Sequence, residues 1–226
     1  MSAEPPILAA GAVLWDVIAR APGRPARGAD VPGCVRAAPG GVATGAALAL
    51  ARAGARASLM GAVGREASGD ALLARISGEG VETELVHRPA AGVDRYIAIE
   101  DDEGLIAAVA ETATLSAAGA APLAPVLAGR VPARALIVDG NLPEAALSAL
   151  AACPVLAPLR LIPASPARAA ALMALAGRPG AVLHCNLAEA VAITGRAHDE
   201  AGLAADALCA AGADRALVTD GPRAAA

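Results

Sequence analysis

Polar residues that could do chemistry stand where the apolar runs of this sequence end. In an open α/β fold such positions lie at the carboxyl edge of a parallel sheet, where ligands bind. Carboxylates and amides there could hydrogen-bond hydroxyls, and carboxylates suit a hydrated magnesium ion. The residues are Asp16, Asp139, Asn141, Asn186, Glu189, Thr219 and Asp220. Taken singly, each is typical of a turn or helix cap, so their shared edge is the informative feature.

A glycine pair, Gly40-Gly41, precedes a run of good helix formers from 42 to 52. Glycine allows the backbone to approach a ligand closely, and Gly54 is placed to end the helix. The amide donors and the positive end of this helix would converge on one spot. That spot could hold hydroxyls or an anionic oxygen. Glycine pairs before helices are also common in α/β proteins without any ligand there.

The elements that position these residues alternate between strand and helix. Repeated strand, polar turn and helix units predict a mostly parallel sheet with helices on both faces. Strands are predicted at 7–14, 56–63, 134–138, 159–163, 181–185 and 214–219. Helices are predicted at 42–52, 67–77, 144–152, 166–175, 187–194 and 199–211, with a weaker one in 114–129.

Two segments interrupt this alternation. The first, 20–39, is rich in Gly, Pro and Arg and predicts short strands or loops that leave the sheet. The second contains predicted strands at 83–88, 95–99 and 105–110, with a turn at 101–104 between the last two. A hairpin of this kind is out of place in a plain doubly wound sheet. It therefore indicates a small additional β structure.

Composition narrows the function classes. Of the 226 residues, 56% are hydrophobic and 1% aromatic, and all 18 basic residues are arginine. A net charge of -4 gives no long-range attraction to nucleic acid or to an anionic membrane. We expect a cytoplasmic protein, since no apolar run is long enough to span a bilayer and the first residues lack a signal-peptide pattern. The four cysteines and three histidines show no metal-ligand spacing.

The stretch PGGVATGAALALARAG, followed by a run ending GAVG, resembles the first signature of the ribokinase (PfkB-type) family of carbohydrate and nucleoside kinases. The resemblance covers about thirty residues in register, which makes it more specific than a lone glycine motif. It implies a ribokinase-like α/β fold in a single domain over 1–226. It also implies that two segments, about 17–38 and 86–111, form a β lid over the sugar site.

The resemblance assigns roles to several residues. Asp16 and Gly40-Gly41 match positions that bind sugar hydroxyls. Asn186 and Glu189 match the NxxE motif, which positions magnesium and the phosphates of ATP, with Glu189 as the residue at the metal. The remaining matches are Thr219 and Gly221, in a VTxG turn that contacts the nucleotide.

A narrower resemblance links the chain to the pseudouridine-kinase branch. It is carried by the segments RYIAIEDDEG, VDGNLP and PASPARAAAL. It implies substrate contacts from Tyr96, Asp139 and Asn141. The expected substrate is therefore a small sugar or nucleoside, with pseudouridine favoured.

The sequence also departs from the family pattern. Gly45 replaces a substrate-binding Asn, Glu66 replaces an Asp, and the D-x-N pattern is missing from 161–165. The family's GAGD segment, which supplies an anion hole and the catalytic Asp, does not occur in the sequence. Phosphoryl transfer depends on such charge stabilisation, so we expect a truncated domain with little or no activity.

Three hypotheses remain. The first is an ATP- and magnesium-dependent sugar or nucleoside kinase scaffold, with a possible homodimer through the lid. The second is a non-catalytic protein that binds a nucleoside or assembles through its lid. The third, a dinucleotide-dependent oxidoreductase, is disfavoured because no GxGxxG motif follows the first strand.

Overall fold

The main sheet has six parallel strands, as the alternating pattern predicts. The computed structural model describes residues 4–154 and 157–226. The strand order is β10-β9-β8-β7-β1-β4. The strands are β1 (Ile7–Ala10), β4 (Ala57–Met60), β7 (Ala135–Asp139), β8 (Leu159–Ile162), β9 (Val182–Asn186) and β10 (Ala216–Thr219). Because all six run the same way, their carboxyl ends share one edge.

Helices cover both faces of this sheet. Leu8 and Ala10 of β1 pack in one core with residues from α5, α8 and α9, whereas Ile7 and Ala9 pack in a second core with α1 and α2. Burial on both faces explains why the strands are continuous apolar runs. The helices are α1 (Val42–Arg52), α2 (Ala67–Gly78), α3 (Ala113–Ala118), α4 (Ala124–Leu127), α5 (Glu144–Ala152), α6 (Pro166–Ala169), α7 (Met173–Ala176), α8 (Leu187–Thr194) and α9 (Ala201–Ala210). Among the described residues, no helix is long and apolar enough to cross a membrane.

A second sheet of four strands, which we call the lid sheet, has the order β3-β2-β5-β6. Its strands are β2 (Leu14–Arg20), β3 (Cys34–Gly40), β5 (Arg95–Asp101) and β6 (Gly104–Glu111). Strand β2 pairs with β3 in antiparallel and with β5 in parallel orientation, and β5 and β6 form the predicted hairpin. The lid sheet begins only three residues after β1 ends.

The predicted first strand, 7–14, was wrong at its end. Strand β1 stops at Ala10, and Leu14 already belongs to the lid sheet, so Asp16 lies within β2 and not in a turn after β1. The chain changes sheets at Gly11, where a Cβ would lie 2.2 Å from the Cβ of Asp139. Both sides of this change are apolar, so the sequence pattern alone does not reveal it.

Two other predicted elements also differ. Residues 83–88 form no strand, although isolated bridges pair Ser58 with Glu82 and Ala62 with His87 beside β4. The helix predicted at 166–175 is instead α6, a 3-10 turn (Ala170–Leu172) and α7. The weak helix predicted in 114–129 is likewise divided into α3, a 3-10 turn (Ala121–Leu123) and α4, with Pro122 and Pro125 in its second half.

We expect Leu161→Ala to lower the free energy of unfolding by about 2–5 kcal/mol, because it removes a fully buried side chain from the centre of β8. Chemical denaturation measures the change. Leu203→Ala is the control, since Leu203 on α9 is 57% exposed and should cost about 0.5 kcal/mol or less. Equal losses in the two variants would contradict the arrangement of the core.

Candidate functional site

A cavity of about 570 Å³ lies between the lid sheet and the carboxyl edge of the main sheet. The lid sheet contributes residues from β2, β5 and β6, and the loops after β7 and β8 contribute the opposite wall. The lining residues are Leu14, Asp16, Gly41, Val42, Tyr96, Ala110, Thr112, Asn141, Ala164, Ser165 and Arg168. Four predicted substrate residues therefore lie in one cavity: Asp16, Gly41, Tyr96 and Asn141.

Asp16 is half-buried in the wall of this cavity. It is paired across the lid sheet with Tyr96 on one side and Ala38 on the other, which fixes its direction. Removal from water raises its pKa above the usual range for an aspartate. Gly40 leaves room for this carboxyl group, since a Cβ there would lie 2.1 Å from Asp16 Cγ. Gly40 thus acts on the site through Asp16.

Gly41 sets the start of α1 against Ala12, in the segment that follows β1. Its φ of 95° is unfavourable for other residues, and a Cβ would lie 2.3 Å from the carbonyl oxygen of Ala12. The same carbonyl accepts a hydrogen bond of 3.1 Å from the hydroxyl of Thr44. Gly45, where the family signature has Asn, has no neighbour within 4 Å of a Cβ position. The space for that side chain is present, although the side chain is not.

Asp139, predicted to contact substrate, is fully buried and does not line the cavity. Its Oδ2 accepts hydrogen bonds from the backbone N–H groups of Ala12 (2.9 Å) and Ala43 (3.2 Å), and its Oδ1 accepts one from Asn141 (2.8 Å). Burial raises the pKa of Asp139, and these hydrogen bonds lower it. The carboxylate therefore holds three turns together behind the cavity.

A second cavity, of about 410 Å³, lies at the ends of β9 and β10. Its lining residues are Asn186, Leu187, Ala188, Val191, Thr219, Asp220 and Gly221. Three of the predicted nucleotide residues, Asn186, Thr219 and Gly221, therefore lie together. The φ of 56° at Gly221 is in the left-handed region, which favours glycine in this turn.

The NxxE residues form a capping box at the start of α8. Asn186 Oδ1 accepts from the Glu189 N–H at 2.9 Å, and Glu189 Oε2 accepts from the Asn186 N–H at 2.9 Å. Burial raises the pKa of Glu189, and the hydrogen bond from Asn186 lowers it. Burial and the nearby Glu189 raise the pKa of Cys185 to about 12. This thiol is therefore not a nucleophile at neutral pH.

Glu189 is the predicted residue for magnesium. Within 4–154 and 157–226, no three His, Cys, Asp or Glu side chains are placed to hold a metal ion. The carboxylate of Asp220 is paired with Arg223. Magnesium needs only one or two carboxylates when phosphates and water complete its octahedron. Glu189 is buried, does not line the second cavity and has one oxygen in the capping box, which leaves one carboxylate oxygen for a hydrated, phosphate-bound ion.

The two cavities share one edge of the sheet but no lining residue. Strand β8 separates β7 from β9, so the ends of β7 and β9 are roughly 10 Å apart at the usual strand spacing. Predicted substrate residues lie on the β7 side and predicted nucleotide residues on the β9 side. Such a separation allows two ligands to bind side by side.

Sequence reasoning missed three polar lining residues of the first cavity: Thr112, Ser165 and Arg168. Ser165 follows β8 at the same sheet edge as the other predicted residues, so the strand-end rule could have found it. Ser165 is the residue before α6, and its side chain makes no capping hydrogen bond there. Thr112 follows a lid strand and Arg168 lies inside a helix, so that rule does not reach them.

Comparisons with known proteins identify the family and the fold of the chain. The family model described as pfkB family carbohydrate kinase matches residues 6–226. A carbohydrate kinase from Agrobacterium tumefaciens superposes with a TM-score of 0.78 at 28% identity, covering 96% of this chain and 70% of that chain. The search of curated proteins found no match.

Two more distant structures show the fold alone. Ribokinase from Arabidopsis thaliana, solved with ribose and ATP, has a TM-score of 0.74 at 15% identity and covers 98% of this chain and 73% of that chain. Ribokinase from Giardia lamblia has a TM-score of 0.76 at 17% identity, with 98% and 71% covered. They confirm the predicted ribokinase-like α/β fold. Because the family match spans nearly the whole sequence, the chain belongs to the pfkB family of carbohydrate kinases.

Proposed function

We propose that this protein binds ATP and a small sugar or nucleoside and transfers the γ-phosphate to a substrate hydroxyl. The observation that carries the proposal is the cavity under the lid sheet, in which Asp16 stands beside Gly41 and the start of α1. A half-buried carboxylate is a strong acceptor for a sugar hydroxyl. The neighbouring cavity at Asn186 and Thr219 provides a separate place for the nucleotide.

In this proposal Asp16, Asn141 and Tyr96 hydrogen-bond the substrate. Gly40 and Gly41 shape the wall, and Asp139 positions the turns without touching the ligand. The resemblance of three segments to pseudouridine kinases favours a pseudouridine-like nucleoside within this class. We also propose a cytoplasmic location, because the four cysteines are free thiols, which are typical of a reducing compartment, and because the proposed reaction uses ATP.

For the nucleotide, we assign Asn186, Thr219 and Gly221 to the phosphates and the adjoining turn of ATP. Glu189 would hold a magnesium ion through water or through its remaining oxygen. When bound, that ion supplies charge neutralisation on the transferred phosphate. The capping box fixes the Glu189 side chain before any ligand arrives.

The geometry also supports a second candidate, a non-catalytic binding protein. Among residues 4–154 and 157–226, no carboxylate lines both cavities, since Asp16 lines only the first and Asp220 only the second. A general base must reach the attacking hydroxyl while the phosphoryl group is in line with it. Binding of both ligands without turnover would favour this second candidate.

We further propose that the outer face of the lid sheet binds a second copy of the chain. Val35, Ile97, Ile99 and Val109 lie on the face opposite Asp16 and Tyr96 and are 46–69% exposed. A solvent-facing sheet surface is usually polar, and a cluster of exposed apolar side chains marks an interface. A lid-to-lid homodimer would bury these four side chains.

Asp16→Asn tests the proposed substrate site. We expect it to weaken sugar or nucleoside binding about 10- to 100-fold, because it removes a charge-assisted hydrogen bond. Isothermal titration with ribose and pseudouridine measures affinity, and a coupled ADP assay with ATP and magnesium measures turnover. Asp206→Asn on the exposed face of α9 is the control. Unchanged affinity in the Asp16 variant would contradict the proposal.

The same titrations should depend on pH in the wild type. Because burial raises the pKa of Asp16, its carboxylate becomes protonated at a higher pH than that of an ordinary aspartate as the solution is acidified. Affinity should therefore be constant at neutral pH and decline towards acid pH. The Asp16→Asn variant should lack this decline, and an identical decline in both proteins would assign it to another group.

Ile97→Glu tests the proposed dimer. A charge in the centre of the outer lid face should shift the protein to monomer, because burying it unpaired is costly. Sedimentation velocity measures the change, with Leu203→Glu on α9 as a control at another exposed apolar position. A wild type that is monomeric at every concentration would refute the dimer and leave the substrate site unaffected.

A further inference from the structure

A carboxylate lies in the turn that the proposed function assigns to the phosphates of the nucleotide. Thr219, Asp220 and Gly221 are consecutive, follow or end β10, and all line the second cavity. A carboxylate and a phosphate both carry negative charge, so an isolated Asp220 would weaken the binding of a nucleotide here. The turn therefore needs a compensating positive charge if it is to hold ATP.

Arg223 supplies this charge three residues further along the chain. Its Nε donates a hydrogen bond to Asp220 Oδ2 at 2.6 Å, and its Nη2 donates one to Oδ1 at 2.9 Å. Two parallel bonds of this kind are the strong arrangement for a guanidinium and a carboxylate. They hold the pKa of Asp220 below its ordinary value, and the charge of Arg223 adds to the effect. Asp220 is therefore ionised at neutral pH, and its charge is matched by Arg223.

The backbone holds these two side chains together before any ligand binds. The Arg223 N–H donates to the carbonyl oxygen of Asp220 at 3.0 Å, and the two residues form an antiparallel bridge. Gly221 allows the tight reversal between them through its φ of 56°. The chain then runs back beside β10, where the Ala226 N–H donates to the carbonyl oxygen of Val218 at 3.0 Å. Asp220 and Arg223 are thus fixed as an opposite-charge pair across a turn.

The second cavity has few charged neighbours. Within 4–154 and 157–226, two charged side chains bond to residues that line it: Arg223 bonds to Asp220, and Glu189 bonds to the N–H of Asn186. Glu189 is itself a carboxyl group and cannot offset Asp220. Loss of Arg223 would therefore leave two carboxyl groups beside a polyphosphate.

Arg223 acts on the cavity through Asp220, because it does not line the cavity itself. The Arg223 side chain is 68% exposed and that of Asp220 is 12% exposed, so the guanidinium covers the carboxylate on its solvent side. An exposed ion pair adds little to the stability of a protein. We therefore look for its effect in ligand binding and not in folding.

We propose that Arg223 is a positioning residue of the nucleotide site, which neutralises and orients Asp220 so that phosphates can bind in the adjoining turn. The inference rests on the proposed function, since that function places the nucleotide in the second cavity. It adds a charge requirement to the site. Asp220 makes no hydrogen bond to the nucleotide in this account, so its charge is a cost that Arg223 offsets.

The test is isothermal titration with ATP in EDTA, repeated with magnesium chloride, and always without a sugar so that no phosphate is transferred. We expect Arg223→Gln to weaken ATP binding about tenfold, because it leaves the carboxylate of Asp220 uncompensated. Asp220→Asn should bind ATP at least as tightly as wild type, and the double variant should bind it like Asp220→Asn. Arg215→Gln is the matched control, since it removes the same charge just before β10, at the opposite end of that strand, where Arg215 is 71% exposed.

The dependence on charge separates this role from a structural one. The loss in Arg223→Gln should be larger for ATP than for AMP and should shrink at high salt, because ions screen the repulsion. Arg223→Lys should keep most of the affinity, since it keeps the charge. Equal losses for ATP and AMP that persist at high salt and in the double variant would show that Arg223 only shapes the turn, and would overturn the inference. Weaker ATP binding by Asp220→Asn would also overturn it, because Asp220 would then be a ligand contact.

The outcomes also separate this inference from the proposed function. Equal ATP binding by wild type and Arg223→Gln would refute the inference and leave the kinase proposal unaffected. A wild type that binds ATP neither in EDTA nor with magnesium would refute both. Restored ATP binding in the double variant, without phosphorylation of any sugar in a coupled ADP assay, would support the inference and count against kinase activity.

Discussion

A single buried carboxylate joins the three turns from which the candidate site is built. Asp139 accepts hydrogen bonds from Ala12 after β1, from Ala43 in the first turn of α1 and from Asn141 after β7. A carboxylate without these donors would be too costly to bury, and the N–H groups without the carboxylate would lack partners. Gly11 makes the approach possible, since any side chain there would collide with Asp139. The wall of the substrate cavity therefore depends on one residue that does not line it.

The two helices that face the candidate ligands begin in different ways. Helix α1 starts after Gly41 without a side-chain cap, and one of its first amides is used by Asp139. Helix α8 starts with a complete capping box, in which Asn186 and Glu189 satisfy each other. The nucleotide side is thus preorganised by local interactions, whereas the substrate side is preorganised by contacts between distant segments.

The same contrast between local and long-range contacts explains which parts of the fold and of the candidate site could be predicted from the sequence. The bounds of α1, α5 and α8 were predicted correctly because glycine and proline punctuation and the NxxE box are local signals. The end of β1 was missed because both sheets use apolar strands. The position of Asp139 depends on partners up to 127 residues away, which no local pattern contains.

The most direct test of the role of Asp139 is backbone hydrogen exchange in the Asp139→Asn variant. We expect faster exchange in the turns around Ala12, Ala43 and Asn141, with little change in α8 and β10. The reason is that the NH2 group of the new amide would face a backbone N–H group, so that at least one of the three hydrogen bonds would be lost. Asp94→Asn is the matched control, because Asp94 is also buried and accepts from Thr114 and Leu115 in another turn. Unchanged exchange in the three turns, or an equal increase along the whole chain, would contradict the claim that Asp139 organises the site.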